Sequence, residues 1–255
     1  MDSLQRMPLL FVGHGSPMNA LEVNEDTLCW RQLGESLPRP KAILCFSAHF
    51  TARGSFVVAI KEPETIHDFY GFPQALYDVS YPAPGDPQLA RRVQALFPSS
   101  LLTGEWGIDH GAWSVLTHMY PKADIPVVQM SLNLSLTADE QMHKGELLAP
   151  LRDEGVLILG SGNIVHNLHR IANTDQPFSW AKEFDSAVHD KMMALDKAGL
   201  AHYMSLHGAL QSVPTNEHFV PLLYVLGAAH EGEQVQAFNR RPVHGSLYMT
   251  GYQIG

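Results

Sequence analysis

Residues 9–18, LLFVGHGSPM, form a short apolar run that ends at a histidine between two glycines, and three later segments also place a histidine where an apolar run breaks or where a helix begins. They read AILCFSAHF at residues 42–50, VLILGSGNIVHN at residues 156–167 and PTNEHFVPLLYVLGA at residues 214–228. The first three contain nearly continuous apolar stretches, which are typical of strands buried on both faces of a sheet. Stretches with helical periodicity separate them. This alternation predicts an α/β fold with a central, mostly parallel or mixed sheet that is flanked by helices on both faces.

The predicted elements alternate along the whole chain. Strands are expected at residues 9–12, 42–46, 56–60, 126–132 and 156–159, with a late alternating run at 246–254. Helices are expected at residues 86–97, 111–120, 138–153, 180–198 and 219–229. Because no linker composition or internal repeat interrupts the 255 residues, we expect a single domain over residues 1–255.

Composition excludes several classes of partner. The formal net charge is -9 and the basic residues are scattered, so neither nucleic acid nor an anionic membrane surface is expected as a partner. The apolar run near the N-terminus is too short for a signal peptide, and we therefore expect a cytoplasmic protein. The two cysteines, Cys29 and Cys45, form no C-x-x-C pair and are expected to be core thiols.

Four histidines lie where a predicted strand ends or a predicted helix begins: His14, His49, His166 and His218. The carboxyl ends of parallel strands share one rim of a sheet, and neutral imidazole binds zinc or ferrous iron. Together the four histidines predict a metal site. Taken singly, each has an ordinary alternative as a hydrogen-bonded structural group, and for His49 alone that alternative is the stronger one. Residues 160–163 are interpreted as a tight loop, with His166 one helical turn beyond it.

Glu217 and His218 are adjacent, and both precede a helix that Pro221 places near Phe219. Neighbouring side chains point in different directions, so only one of the two is expected on a metal. Glu217 would complete a set of two histidines and one carboxylate, the arrangement that often holds ferrous iron. His218 would instead give an all-nitrogen site, which zinc also accepts. Both alternatives are open at this point.

Seven motifs carry a resemblance to a known family. They are GHGSPM at 13–18, SAH at 47–49, TIHDF at 65–69, GFPQALY at 71–77, DHG at 109–111, SGNIVHN at 161–167 and EHF at 217–219. In this order, from about residue 7 to the C-terminus, they resemble the class III extradiol ring-cleavage dioxygenases, in particular the 4,5-DOPA extradiol dioxygenase branch. The resemblance implies a single α/β catalytic domain that opens a catechol ring with O2 at one divalent metal.

The resemblance also implies a ligand set. His14, His49 and His218 would bind the metal, with His166 at or near a fourth position. Related enzymes that act on protocatechuate use a glutamate as the third ligand, which keeps Glu217 as the alternative to His218. Fe(II) is the ion expected for activity, and Zn(II) is the ion expected in purified protein, because zinc binds such sites more tightly than iron does.

The remaining implied roles concern protons and substrate. His166 and His110 would act as acid and base, while His67 and Asp68 would line the substrate pocket. A hydrogen bond from His67 to Asp68 is the structural alternative for that pair. The substrate would be L-DOPA or a similar catechol and the product a muconic semialdehyde, formed by a monomer or small homo-oligomer. A zinc-dependent hydrolase and a non-catalytic metal-binding protein are the two alternative functions.

Overall fold

The computed structural model describes residues 6–255, and that part of the chain contains ten strands and nine α-helices. The strands are β1 (Leu9–Gly13), β2 (Ala42–Ser47), β3 (Phe56–Val58), β4 (Leu101–Thr103), β5 (Val127–Gln129), β6 (Val156–Gly162), β7 (Val235–Phe238), β8 (Pro242–Val243), β9 (Leu247–Tyr248) and β10 (Gly251–Ile254). The helices are α1 (Glu25–Ser36), α2 (Gln74–Tyr77), α3 (Pro87–Leu96), α4 (His110–Met119), α5 (Ala138–Leu148), α6 (Ser179–Met193), α7 (Lys197–Ala201), α8 (Ala209–Ser212) and α9 (Val220–Gly227).

Six strands form the central mixed sheet, in the order β5-β2-β6-β1-β10-β7. Strands β5, β2, β6 and β1 are mutually parallel, whereas β10 runs antiparallel to β1 and to β7. Gly13 lies opposite Gly162, and Ser47 lies opposite Ser161. The carboxyl ends of β1, β2 and β6 therefore meet at one rim of the sheet, where ligands of open α/β folds usually bind.

Alternate residues of the strands face two separate hydrophobic cores. Leu9 and Phe11 of β1 pack on the side that holds residues of α5, α6 and α9. Leu10 and Val12 pack on the opposite side with residues of α1 and α4. The predicted α/β fold with helices on both faces is thus confirmed. No helix in residues 6–255 combines the length and apolar character needed to cross a bilayer.

Two of the predicted strands are shorter in the structure. The strand expected at 56–60 ends at Val58 and pairs with β4 in a small separate sheet, and the one expected at 126–132 spans only Val127–Gln129. The terminal run at 246–254 is interrupted after Tyr248, so that β9 pairs with β8 and β10 with the central sheet. Cys45 is buried as predicted, but Cys29 is only half-buried.

Two predicted helices end early for identifiable reasons. The helix expected at 138–153 stops at Leu148 and continues as a 3-10 turn, because Pro150 lacks the N–H that an α-helix interior needs. The helix expected at 180–198 stops at Met193, since Leu195 adopts a left-handed conformation with φ of 48°. Neither difference moves a histidine of the predicted site.

Candidate metal centre

Backbone hydrogen bonds from the end of β6 hold two of the histidine segments in place. His14, which directly follows β1, donates its N–H to the carbonyl of Gly162 at 3.0 Å. Asn163 donates its N–H to the carbonyl of His218 at 2.9 Å. His49 follows β2, and His110 is the first residue of α4. The sheet rim therefore collects histidines that are distant in sequence.

Three of these rings form a nearly equilateral triangle. The ring centroids are 5.1 Å apart for His14 and His49, and 5.3 Å apart from each of them to His218. Three imidazoles around one tetrahedral ion, with metal–nitrogen bonds of about 2.05 Å, would have centroids about 5.2 Å apart. The Nε2 atoms of His14 and His49 are 3.2 Å apart, close to the ~3.3 Å expected for two ligands of such an ion. The triangle thus has the dimensions of a three-histidine metal site.

The hydrogen-bond network fixes the tautomer of His14. The carbonyl of Gly111 can only accept, so the Ser161 hydroxyl that lies 2.5 Å away must donate to it. The Ser161 oxygen then accepts from Nδ1 of His14, at 2.9 Å. A neutral imidazole carries one proton. The Nε2 atom of His14 is therefore a free lone pair directed at His49.

His49 and His218 have the same tautomer for a similar reason. Nδ1 of His49 lies 3.0 Å from Oδ2 of Asp68, and Nδ1 of His218 lies 3.2 Å from Oε1 of Glu217. An ionised carboxylate only accepts, so each Nδ1 carries the proton and each Nε2 is bare. Two bare nitrogens 3.2 Å apart repel each other unless a cation lies between them. The donor set therefore fits a divalent metal.

The electrostatic environment favours neutral imidazoles at two of the three positions. Burial lowers the pKa of His14 and of His218 well below the ordinary value, and the neighbouring histidines lower both further. Burial also acts to lower the pKa of His49, but the nearby carboxylates, above all Asp68, outweigh it and raise that pKa. A metal ion at this position would therefore compete with a proton for His49.

His166 stands beside this triangle in an unexpected conformation. Its backbone is extended and forms a bridge with Leu247, instead of the predicted helical turn. Its ring stacks on that of His218 with centroids 3.5 Å apart and an interplanar angle of 9°. The in-plane lone pairs of parallel rings run side by side and do not converge on one ion. Burial lowers the pKa of His166 to about 4.

The prediction of a tight loop at residues 160–163 is wrong, because β6 continues through Gly162. The glycines serve close packing and not a turn. A β-carbon at Gly160 would lie 2.7 Å from the carbonyl oxygen of Pro221, and one at Gly162 would lie 2.1 Å from that of His218. By contrast, Gly15 does supply the predicted turn after His14, with φ of 62°.

His67 and Asp68, the two residues predicted to line the substrate pocket, contact different parts of the structure. Nε2 of His67 lies 3.0 Å from the carbonyl oxygen of Val79, so the structural alternative for this pair, a hydrogen bond from His67 to Asp68, is wrong. The His67 ring instead lies near three aromatic rings, with centroids 5.6 Å from Trp113, 5.8 Å from Phe69 and 6.2 Å from Tyr77. Asp68 points the other way, towards the histidines of the rim.

Asp109 is a structural residue that sequence reasoning missed. It caps the start of α4 and is fully buried, and it accepts hydrogen bonds from Ser47 at 2.6 Å and from Gln129 at 2.8 Å. Asp109 thereby fixes the position of His110, the first residue of the helix. The available signal was an aspartate two residues before the predicted start of the helix at residue 111, since aspartate is a typical N-cap residue.

Residues 10–248 match the family described as the catalytic LigB subunit of aromatic ring-opening dioxygenase. The chain belongs to this family. As a LigB-family member it is an extradiol ring-cleavage dioxygenase, which agrees with the resemblance of its motifs. Two groups of side chains at the rim bring ligand atoms within 4.8 Å of one another and could hold a metal ion: His14 with His49 and His110, and His166 with Glu217 and His218.

Relatives of the LigB-family chain cover nearly its full length. It is 47% identical to the 4,5-DOPA dioxygenase extradiol of Escherichia coli (strain K12), over 99% of this chain and 96% of the relative. It is 38% identical to the 4,5-DOPA dioxygenase extradiol of Beta vulgaris, over 96% and 95% of the two chains. The crystal structure of an uncharacterized Escherichia coli K12 protein, 44% identical, superposes with a TM-score of 0.84 and covers 98% of this chain and 100% of that one.

Proposed function

We propose that this dioxygenase opens the ring of L-DOPA or a similar catechol with O2 at one divalent metal and forms a muconic semialdehyde. The observation that carries the proposal is a triangle of three imidazoles, His14, His49 and His218, whose ring centroids lie 5.1 to 5.3 Å apart and whose Nδ1 atoms are each engaged by a hydrogen-bond acceptor, which leaves each Nε2 bare. The printed names of the Escherichia coli and Beta vulgaris relatives support the choice of substrate.

His14, His49 and His218 would hold the metal. Glu217 is the weaker candidate, because its carboxylate accepts hydrogen bonds from His218 and from Thr215, at 3.2 and 2.8 Å. Fe(II) is proposed for activity and Zn(II) for protein as purified, since zinc exceeds iron in affinity for such ligands. When bound, a redox-active ion supplies the electron transfer between catechol and O2, which otherwise meet across a spin barrier.

His166 and His110 are proposed to move the protons. His166 is neutral at pH 7 because burial lowers its pKa to about 4, so one ring nitrogen is bare. That nitrogen would receive the proton of a catechol hydroxyl whose own pKa a bound divalent metal lowers. His110 packs against His49, with ring centroids 3.8 Å apart. The ring C–C bond beside the two hydroxyls breaks, and both oxygen atoms of O2 enter the product, so no external reductant is needed.

His67 is proposed to contact the part of the substrate that lies away from the metal. Its half-buried ring, together with Phe69 and Tyr77, forms an aromatic group on the segment that precedes and includes α2. Phe69 also lies near His110, with ring centroids 5.5 Å apart. Aromatic and apolar walls with few polar groups are typical of small-molecule sites.

Oxygen uptake by metal-free protein reloaded anaerobically with Fe(II) tests the proposal. The substrates are L-DOPA, caffeate and protocatechuate, and protein loaded with Zn(II) is the control. We expect iron-dependent uptake and a yellow semialdehyde, strongest with L-DOPA. Absence of uptake with every catechol, at one bound iron per chain, would overturn the proposal.

A matched pair of variants separates proton transfer from metal binding. His166→Gln should retain the metal and lose roughly 100- to 10,000-fold in kcat, the usual contribution of an acid or base. His169→Gln changes an exposed histidine three residues away and should behave as the wild type. Equal activity of the two variants would contradict the role of His166.

A further inference from the structure

The Asp68 carboxylate contacts two histidines of the site at once. Its Oδ2 lies 3.0 Å from Nδ1 of His49, and its Oδ1 lies 2.9 Å from Nδ1 of His110. The same Oδ1 accepts the backbone N–H of His110 at 3.1 Å. Only 16% of the Asp68 side chain is exposed. Both oxygens are therefore already engaged within the protein.

We propose that Asp68 is a positioning residue which sets the tautomer of His49 and His110 together, so that a metal ligand and a proton-transfer group depend on one carboxylate. An ionised carboxylate accepts hydrogen bonds but donates none, so both Nδ1 atoms must carry protons. Both Nε2 lone pairs then remain free for the site. This role, which rests on the proposed function, differs from the substrate contact that the motif resemblance implies.

The position of Asp68 in the fold explains why one residue can serve both rings. His49 follows β2 and His110 begins α4, whereas Asp68 belongs to the irregular segment between β3 and α2. The rings of His49 and His110 are packed with centroids only 3.8 Å apart. A single carboxylate can therefore bridge their Nδ1 atoms. The bridge joins three segments of the chain at the rim.

Asparagine cannot replace this carboxylate. Its side chain offers one oxygen, which accepts, and one amide nitrogen, which donates. One of the two histidines would consequently face a donor and would have to move its proton to Nε2. That change removes a lone pair from either the metal ligand or the proton-transfer group. Hydrogen-bond partners of metal-binding histidines typically contribute roughly 10- to 100-fold to metal affinity.

The first test compares Asp68→Asn with Asp78→Asn in the full chain. Asp78 is exposed, lies in the same region and accepts a hydrogen bond from Gln74 that asparagine can also accept. Zn(II) affinity, measured by competition with a chromophoric chelator, should fall roughly 10- to 100-fold for Asp68→Asn and stay unchanged for Asp78→Asn. Unchanged Zn(II) affinity of a folded Asp68→Asn protein would overturn the proposal.

The second test needs no altered Asp68. Nitrogen-15 NMR of the metal-free wild type at pH 8 distinguishes protonated from bare ring nitrogens, and His49→Gln and His110→Gln assign the two signals. We expect the proton on Nδ1 in both rings. A proton on Nε2 of either ring would overturn the proposal even if Asp68→Asn failed to fold. Neither test uses catechol turnover, so a protein that binds zinc through these tautomers but cleaves no catechol would refute only the proposed function.

Discussion

Replacing Gly162 by alanine should damage the metal centre through a purely steric effect. Gly162 is the last residue of β6, where the extended backbone suits any residue. The added β-carbon would lie 2.1 Å from the carbonyl oxygen of His218 and 3.0 Å from its carbonyl carbon. Backbone at this distance cannot move aside as a flexible side chain can. His218 itself must therefore shift.

The size of the shift follows from the contact distances. The shortest contact that a β-carbon normally makes is 3.0 Å, so the carbonyl must withdraw by about 0.9 Å. That carbonyl also accepts the N–H of Asn163 at 2.9 Å, and the withdrawal weakens this bond. Overpacking of this kind typically costs about 1–3 kcal/mol of stability. A displacement near 1 Å at a reacting group can reduce activity by roughly 100-fold.

Gly104→Ala is the matched control. Gly104 is exposed, and a β-carbon there meets no atom within 4 Å. Urea unfolding and Zn(II) competition should show a less stable Gly162→Ala protein with weakened metal binding, and a Gly104→Ala protein close to the wild type in both. If Gly162→Ala retained wild-type stability and metal affinity, the packing of β6 against His218 would not position that ligand.

Two further substitutions test other contacts. Ser161→Ala removes the acceptor for Nδ1 of His14 and should weaken Zn(II) binding roughly 10- to 100-fold, while an unchanged affinity would refute the tautomer assigned to His14. Glu233→Ala leaves the buried Arg152 guanidinium without its carboxylate and should cost about 3 kcal/mol in urea unfolding, whereas Glu231→Ala, an exposed change, should cost little. Burial acts to raise the pKa of Glu233, but its bond to Arg152 lowers the pKa overall. The free energy of unfolding of the wild type should therefore exceed that of Glu233→Ala by the full amount above pH ~4.3, and the difference should vanish as the pH falls through the lowered pKa of Glu233. A difference that does not depend on pH would contradict this linkage.

The sequence predicted the elements that carry the rim most accurately. The apolar runs of β1 and β2 are each one residue longer in the structure than predicted, and both end just before a site histidine. Strands buried on both faces leave a clear apolar signal, since polar residues are excluded from them. The placement of His14 and His49 at the rim could therefore be inferred from the sequence.

Elements with weak apolar patterns were missed. Helix α1 buries only Asp26, Thr27 and Trp30, so its periodicity is faint, although Asn24 and Thr27 form a capping box. Strand β4 exposes Leu101 and is recognisable only through its pairing with β3. In such elements long-range contacts, and not local pattern, decide the conformation.

The orientation of site side chains was the least predictable feature. The role inferred for Asp68 depends on His110, which lies 42 residues further along the chain. The stacking of His166 on His218 depends on the bridge between His166 and Leu247. Spacing along the chain carries no information on either contact, because both arise from the packing of separate segments.

The central claim is tested most directly by titrating the metal-free protein with Fe(II) under anaerobic conditions. L-DOPA-dependent oxygen uptake is then measured at each ratio of Fe(II) to protein chain. One three-histidine site per chain predicts that the rate of uptake rises linearly with added Fe(II) and stops rising at one ion per chain, which is the break point of the titration. Absence of uptake at every ratio would contradict ring cleavage at this site. A break well away from one ion per chain would contradict the single centre formed by His14, His49 and His218.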